Sequence, residues 1–382
     1  MKIAFVSSFL NHHQLLLCQA FNKSCDEFCY LATEQISEER RSLGYEDLNT
    51  KYDFVVRTYD EDFSESKLRK ILIESDVVIF GACPDSYIEM RLKENRLSFI
   101  YSERFFKKGV WRRFIPSVRK KLHKRILQHK GKNLYVLCAS GFLPYDLKLC
   151  SFDTSKCLRW GYFPQVSDRT EYQERTSPKL RLLWAGRMLP LKRAQDVVKA
   201  AAYLKKHNVD FTLDFIGEGN CEAEIRALVK HKGLEQSVRF LGSMSPDKVK
   251  ENMASSDVFL MTSNFREGWG AVVNEAMSEG CAVLVSSAVG SASFLVQDGK
   301  NGMIYKYGSQ RDMNKKLLAL AMDKKLRDSL GKEAFLSIRG EYSAEVAVER
   351  LVAFVESGNK KEMIFNQGPV SAAPVIKNKW YK

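Results

Sequence analysis

The stretch DVFLMTSNFREGWGAVVNEAMSEGCAVLVS, Asp257 to Ser286, decides how this chain folds. It opens on an apolar run, Val258–Thr262, that is short enough for a strand and too short for a helix. A loop with Glu267, Gly268 and Gly270 follows, then helical spacing over Ala271–Ser278, then a second apolar run, Ala282–Ser286. Strand, glycine-bearing turn, helix and strand make a crossover unit. Its strands run parallel and are apolar on both faces because helices cover both. The turn puts a carboxylate, Glu267, just before the helix and another, Glu275, on its second turn. Both can face one ligand: exposed N–H groups at the helix start suit an anion, and fixed carboxylates accept from sugar and ribose hydroxyls. Taken alone, the acidic residues are equally well explained as a helix start favoured by the dipole.

Working outward, the same alternation runs through the chain. In the first half the expected strands are Lys2–Ser7, Phe28–Ala32, Phe54–Thr58, Val77–Gly81, Ser98–Tyr101 and Leu134–Cys138. In the second half they are Arg181–Ala185, Phe211–Gly217, Val238–Leu241, Val258–Thr262, Ala282–Ser286 and Met303–Tyr305. Helical stripes such as Ala223–Lys230 and Ala271–Ser278 lie between them. The segment Tyr162–Pro178 is polar and loses periodicity. The predicted organisation is α/β: residues 1–164 as one Rossmann-like domain, 165–178 as a linker, and 179–356 as a second such domain facing a cleft. A last helix covers Ala344–Glu356, and 357–382 is expected to cross back or to be disordered.

Composition narrows the class. With 45% hydrophobic and 28% charged residues, the chain reads as a soluble globular protein. No apolar run reaches the length of a membrane span, and the start MKIAFVSSFL reads as a buried strand rather than a signal peptide. Nine scattered cysteines, odd in number, have neither a disulfide framework nor zinc spacing and suit reduced thiols in the cytoplasm. The net charge of +14 is concentrated: between Arg104 and Lys132 stand twelve Lys or Arg and no acid.

Two further motifs stand at strand ends. In WAGRMLPLK, Arg187 and Lys192 lie five apart after the strand that begins at Arg181. Loops at the carboxyl ends of parallel strands are where open α/β sheets bind ligands, and a diphosphate there needs cations. In FIGEGN, Gly217 and Gly219 let backbone approach a ligand closely. An Asp-x-Asp in Tyr59–Phe63, Asp60 and Asp62, is a metal signature in other settings, but here it reads as an exposed acidic helix start far from these motifs.

Together, AGRMLPLK, IGEG, VRFLG, the Glu-x7-Glu element and VGSASFLVQDGKNGMI, spread over roughly Leu180 to Val355, resemble the retaining family 4-type glycosyltransferases of the GT-B fold. The resemblance implies a nucleoside-diphosphate sugar as co-substrate, no metal and no other cofactor. Arg187 and Lys192 would then hold the diphosphate and Glu275 the ribose hydroxyls. Glu267, with the amides of Gly268, Trp269 and Gly270, would hold the transferred hexose, and the loop Gly242–Met244 would lie beside the base. Such enzymes more often carry Phe where this chain has Trp269, and an apolar residue where it has Asn274.

The N-terminal half resembles the family only in outline, for SSFLNHHQ stands where many members have a glycine-rich loop. His12, His13 and Glu103, after the first and fifth expected strands, are acceptor-side candidates. In the basic stretch Trp111, Ile115, Val118, Leu122 and Ile126 fall at partly helical spacing among cations. Trp111 with Lys120, Lys121, Lys124 and Arg125 is therefore expected to meet an anionic membrane surface, which suits a lipid-linked acceptor and a peripheral place on the inner membrane face. A nucleic-acid partner is not expected, since no binding module accompanies the charge. A catalytically silent nucleotide-sugar scaffold is disfavoured because all four charged donor residues are intact.

Overall fold

A computed structural model describes residues 1–38, 41, 46–360 and 365–382. The chain forms two compact units, Met1–Pro164 with Ala344–Val375, and Gln165–Ser343 with Ile376–Lys382. In the first, β1 (Lys2–Ser7), β2 (Glu27–Ala32), β3 (Val55–Arg57), β4 (Val77–Phe80), β5 (Ser98–Ser102), β6 (Leu134–Cys138) and β7 (Cys157–Arg159) form one parallel sheet. Its order is β3-β2-β1-β4-β5-β6-β7, so the winding reverses between β1 and β4, where Ile3 pairs with Val77. Residues Ile3–Val6 and Val77–Phe80 are buried, as strands covered on both faces must be.

In the second unit, β8 (Leu180–Ala185), β9 (Phe211–Ile216), β10 (Val238–Phe240), β11 (Val258–Met261), β12 (Ala282–Ser286) and β13 (Met303–Tyr305) are again all parallel. Their order, β10-β9-β8-β11-β12-β13, reverses between β8 and β11. The core joins Leu182, Trp184, Leu213, Phe215, Leu260 and Leu284 from the strands to Val197, Ala201 and Leu204 of the helix Ala194–Lys206. Each unit therefore has its own topological switch point, the place where doubly wound sheets hold ligands.

Three expectations need correction, and the path of the chain end is defined. The helix Ala344–Glu356 belongs to the first unit, not the second: Phe354 packs on Phe99 and Tyr135, with ring centroids 6.4 and 5.3 Å away. Residues 165–178 are not a free linker but part of the second unit. Ser167 N–H donates to Ser278 Oγ at 2.8 Å, and Arg175 Nη2 donates to the Glu279 carbonyl at 2.6 Å. The chain end is ordered where described and returns to both units. Arg159 N–H donates to the Ser371 carbonyl at 2.7 Å on the edge of β7, and Trp380 Nε1 donates to the Ser287 carbonyl at 2.9 Å. Residues 361–364 of that tail lie outside the described ones. The acidic run at Asp60 is a turn, not a helix start: Asp60 pairs with Arg57 at 2.7 Å, and the next helix begins at Glu65, capped by Ser64. Among the described residues no helix is long and apolar enough to cross a membrane.

Candidate functional site

At the second switch point the loops after β8, β9 and β10 are stitched into one surface. Gly186 N–H donates to the Ile216 carbonyl at 2.9 Å, Met188 N–H to the Glu218 carbonyl at 2.8 Å, and Gly217 N–H to the Gly242 carbonyl at 2.7 Å. The glycines are required by this closeness. A Cβ on Gly217, at φ +109°, would stand 2.3 Å from the Gly186 carbonyl oxygen, and one on Gly219 would stand 2.6 Å from that of Met188. Met244 lies half-buried beyond Gly242, its Sδ 3.6 Å from Asn252 Nδ2.

The loop after β8 is tied to the end of β11. Thr262 Oγ1 donates to the Lys192 carbonyl at 2.7 Å while accepting from Trp184 Nε1 at 3.2 Å. Asn264 N–H donates to the Leu191 carbonyl at 2.9 Å. This brings the Lys192 ammonium 2.7 Å from Glu267 Oε2, both side chains mostly shielded from solvent. Glu267 Oε2, Ser263 Oγ and Ser291 Oγ are buried without a hydrogen-bond partner among the described residues, the Glu267–Lys192 contact being an ion pair without hydrogen-bond geometry. Such groups cost stability and mark places where a ligand completes the bonding. Arg187, from the same β8 loop, is exposed and makes no side-chain hydrogen bond or ion pair among the described residues.

Glu275 sits half-buried on the helix Val272–Ser278, its carboxyl unbonded among the described residues. Burial pushes its pKa up, and the charge of Lys250 partly offsets this. Trp269 is fully buried; its Nε1 donates to Asn274 Oδ1 at 2.8 Å, and its ring packs on Phe294. The two departures from the family pattern are thus one feature: the indole brings an N–H into the core and the amide satisfies it. The Trp269 side chain is therefore unavailable to a ligand, and only its backbone borders the loop. Gly270, at φ +91°, is pressed between Met261 and Val289, at 2.9 and 3.0 Å from where its Cβ would be. The structure thus joins the loops after β8, β9, β10 and β11 that carry the second-half candidates, with Lys192 against Glu267 and Glu275 on the helix that follows. Sequence reading missed Thr262, Asn264 and Lys250. A Thr and Asn just past an apolar run are the signal for the first two, and nothing local marks Lys250.

The first unit has its own cavity, of 1330 Å³, at the carboxyl ends of β1, β4 and β5. His12, His13 and Glu103 all line it. The two imidazoles lie 3.8 Å apart, and His13 stacks on Tyr162 at 5.5 Å. Tyr162 in turn donates from its hydroxyl to Glu103 Oε1 at 2.8 Å, while Lys107 pairs with Glu103 Oε2. The glycine missing after β1 is supplied by the neighbouring strand: a Cβ on Gly81 would stand 2.7 Å from Ser7 Oγ. Tyr162 and Lys107 were not singled out from the sequence.

The basic segment is less free than its composition suggests. Arg104 is buried and paired with Asp146 at 2.9 Å. Arg125 pairs with Asp85 at 2.9 Å and donates to the Cys83 carbonyl at 3.1 Å, so it braces the first unit instead of facing outward. Leu122 and Ile126 are buried, which removes two of the five residues of the expected outward apolar face. Lys120, Lys121 and Lys124 are exposed, as are Trp111 (59%) and Phe114 (67%).

Residues 168–336 match the family described as glycosyl transferases group 1. The chain is 29% identical over 185 residues to D-inositol 3-phosphate glycosyltransferase of Arthrobacter sp. strain FB24, covering 47% of this chain and 44% of that one. It is 30% identical over 154 residues to the N-acetylgalactosamine-N,N'-diacetylbacillosaminyl-diphospho-undecaprenol 4-alpha-N-acetylgalactosaminyltransferase of Campylobacter jejuni, covering 40% of each. The chain thus spans less than half the length of these relatives. The fold is that of HepE of Anabaena, solved in complex with UDP, at TM-score 0.67 and 15% identity over 94% of this chain and 100% of the other. The fold class is accordingly GT-B, two parallel-sheet α/β units.

Proposed function

We propose that this chain is a glycosyltransferase that moves a hexose-type sugar from a nucleoside-diphosphate sugar to an acceptor hydroxyl, with retention of anomeric configuration. The observation that carries the reading is the gathering of Arg187, Lys192, Glu267 and Glu275 around one switch point in the segment that matches the family. In this reading Arg187 and Lys192 hold the diphosphate and stabilise the charge it gains as the C1–O bond breaks, the electron pair going to the leaving oxygen. The acceptor oxygen attacks from the same face, and its proton passes to a phosphate oxygen. The helix Val272–Ser278 has only seven residues, so its end adds little to the two cations. Glu267 positions the hexose and Glu275 the ribose, and no metal ion is required.

The acceptor belongs in the cavity of the first unit, beside His12, His13 and Glu103. The Campylobacter relative, whose name specifies a diphospho-undecaprenol-linked substrate, favours a lipid-linked acceptor and a role in cell-surface polysaccharide or glycolipid assembly. A cytoplasmic place at an anionic membrane surface is part of the same reading, and the exposed Lys120, Lys121, Lys124 and Trp111 support the membrane contact. The deciding experiment measures nucleoside diphosphate release from a panel of UDP-, GDP- and ADP-sugars. One donor should be turned over well above the rest, and binding of a nucleotide sugar with no release or transfer from any of them would refute enzymatic activity.

A further inference from the structure

The helix Pro116–Arg125 separates the large cavity from a second one. This groove, of 520 Å³, is lined by the basic segment together with Leu149, Cys150 and Ser151, and falls within the size range of small-molecule sites. Its floor is apolar: Phe106 and Leu122 are buried, and Val118, Leu127 and Leu149 are half-buried. Its rim carries Arg113, Arg119, Lys120 and His123, and no acidic residue lines it. Arg119, Lys120 and His123 make no side-chain hydrogen bond or ion pair among the described residues, and Arg113 lies 4.6 Å over the ring of Phe114. Phe114, 67% exposed, stands at the edge of the groove as an apolar side chain in solvent.

An apolar trough whose charged rim residues, Arg113, Arg119 and Lys120, are all cations complements a ligand with a hydrocarbon tail and an anionic head. Ordinary adsorption of a basic surface to a bilayer needs the cations but not the trough. Nucleic acid would use the cations and has no use for the aliphatic floor formed by Val118, Leu122, Leu127 and Leu149. We propose that this groove seats a single acyl chain of an anionic membrane phospholipid, its phosphate held by Arg119 and Lys120. The site goes beyond the transfer reaction and does not depend on it. It rests on the membrane reading of this segment only for the source of the lipid.

The test uses the full chain and monoacyl glycerophosphates of graded chain length, titrated calorimetrically below their micelle concentrations. Affinity should rise about fourfold for each added methylene until the groove is filled, as burial of hydrocarbon dictates. The choline-headed monoacyl lipid should bind roughly tenfold or more weakly, because it offers no net charge to the rim. Cys150 lines the groove, and Cys150→Trp should fill it and abolish the chain-length dependence. In case that substitution disturbs folding, the exposed pair Arg119→Gln with Lys120→Gln gives a second arm, which should erase the preference for the anionic head while the chain-length dependence persists. An affinity indifferent to chain length, or a folded Cys150→Trp protein that binds like the parent, would overturn the site. Sedimentation with anionic vesicles reports the membrane reading separately, and nucleoside diphosphate release reports the transfer reading. Either can fail while the groove stands.

Discussion

Glu275 is a carboxylate placed against the interest of the folded chain, and Glu275→Gln exposes the consequence. In the parent the carboxyl is half-buried, unbonded among the described residues, and offset only by the charge of Lys250, whose Nζ also donates to Gln165 Oε1 at 3.0 Å. Burial raises its pKa above the ordinary 4.5. The native state thus holds that proton more tightly than the unfolded chain does. Stability is greatest with the proton on, and falls as pH rises from about 4.5 through the raised native value. Glutamine removes the charge and keeps the shape. At neutral pH the variant should gain about 1–2 kcal/mol, the order of the cost of leaving a buried polar group unsatisfied, which raises Tm by roughly 2–8 °C in a unit of this size. The same change should weaken the nucleotide. A hydrogen bond to a charged group contributes about 1.5–3 kcal/mol, so Kd for the favoured nucleoside diphosphate should rise about tenfold to a hundredfold or more. Thermal melts across pH 4–8 and calorimetric titration with the nucleotide measure both sides. A variant that melts lower than the parent, or binds nucleotide as tightly, would refute the assignment.

Three further outcomes follow from the same site. Lys192→Ala and Arg187→Ala should each lower turnover at saturating donor by about 2–4 kcal/mol of barrier, a hundredfold loss in the middle of that range, with little change in acceptor KM. Lys192→Ala should be the worse because it also leaves Glu267 without its cation. Gly217→Ala puts a Cβ 2.3 Å from the Gly186 carbonyl at a φ of +109°, and should cost about 2 kcal/mol or more, read as a lowered urea midpoint with an unchanged m-value. Transfer should survive EDTA, since two cations suffice for the diphosphate charge, and a strict requirement for Mg²⁺ or Mn²⁺, restored by adding the ion back, would refute that assignment.

The strands were legible from sequence because parallel strands buried on both faces demand unbroken apolar runs, and Lys2–Ser7, Leu134–Cys138, Ala282–Ser286 and Met303–Tyr305 appear with the expected bounds. The strand β7 was not: it has three residues, and its edge is completed by Val370 and Ser371 from the far end of the chain, so no local signal marks it. The positions of Arg187, Lys192 and Glu267 on loops after strands, and of Glu275 on the helix that follows, were legible because chain order and spacing place them.

What sequence alone determined, then, is the alternation of strand and helix, the two series, and which polar residues stand on the loops after the strands, since these follow from local periodicity and turn chemistry. Tertiary structure alone decided the partners. Amphipathic spacing says that the helix Ala344–Glu356 has a face to bury, but not that Phe354 buries it against Phe99 in the first unit. The spacing of Leu122 and Ile126 marks an apolar face without saying whether core or membrane receives it, and here the core does. Trp269 and Asn274 look like two unrelated departures until one donates to the other. Periodicity is a property of neighbours along the chain. Burial and pairing depend on groups distant in sequence, and these meet only when the sheets close.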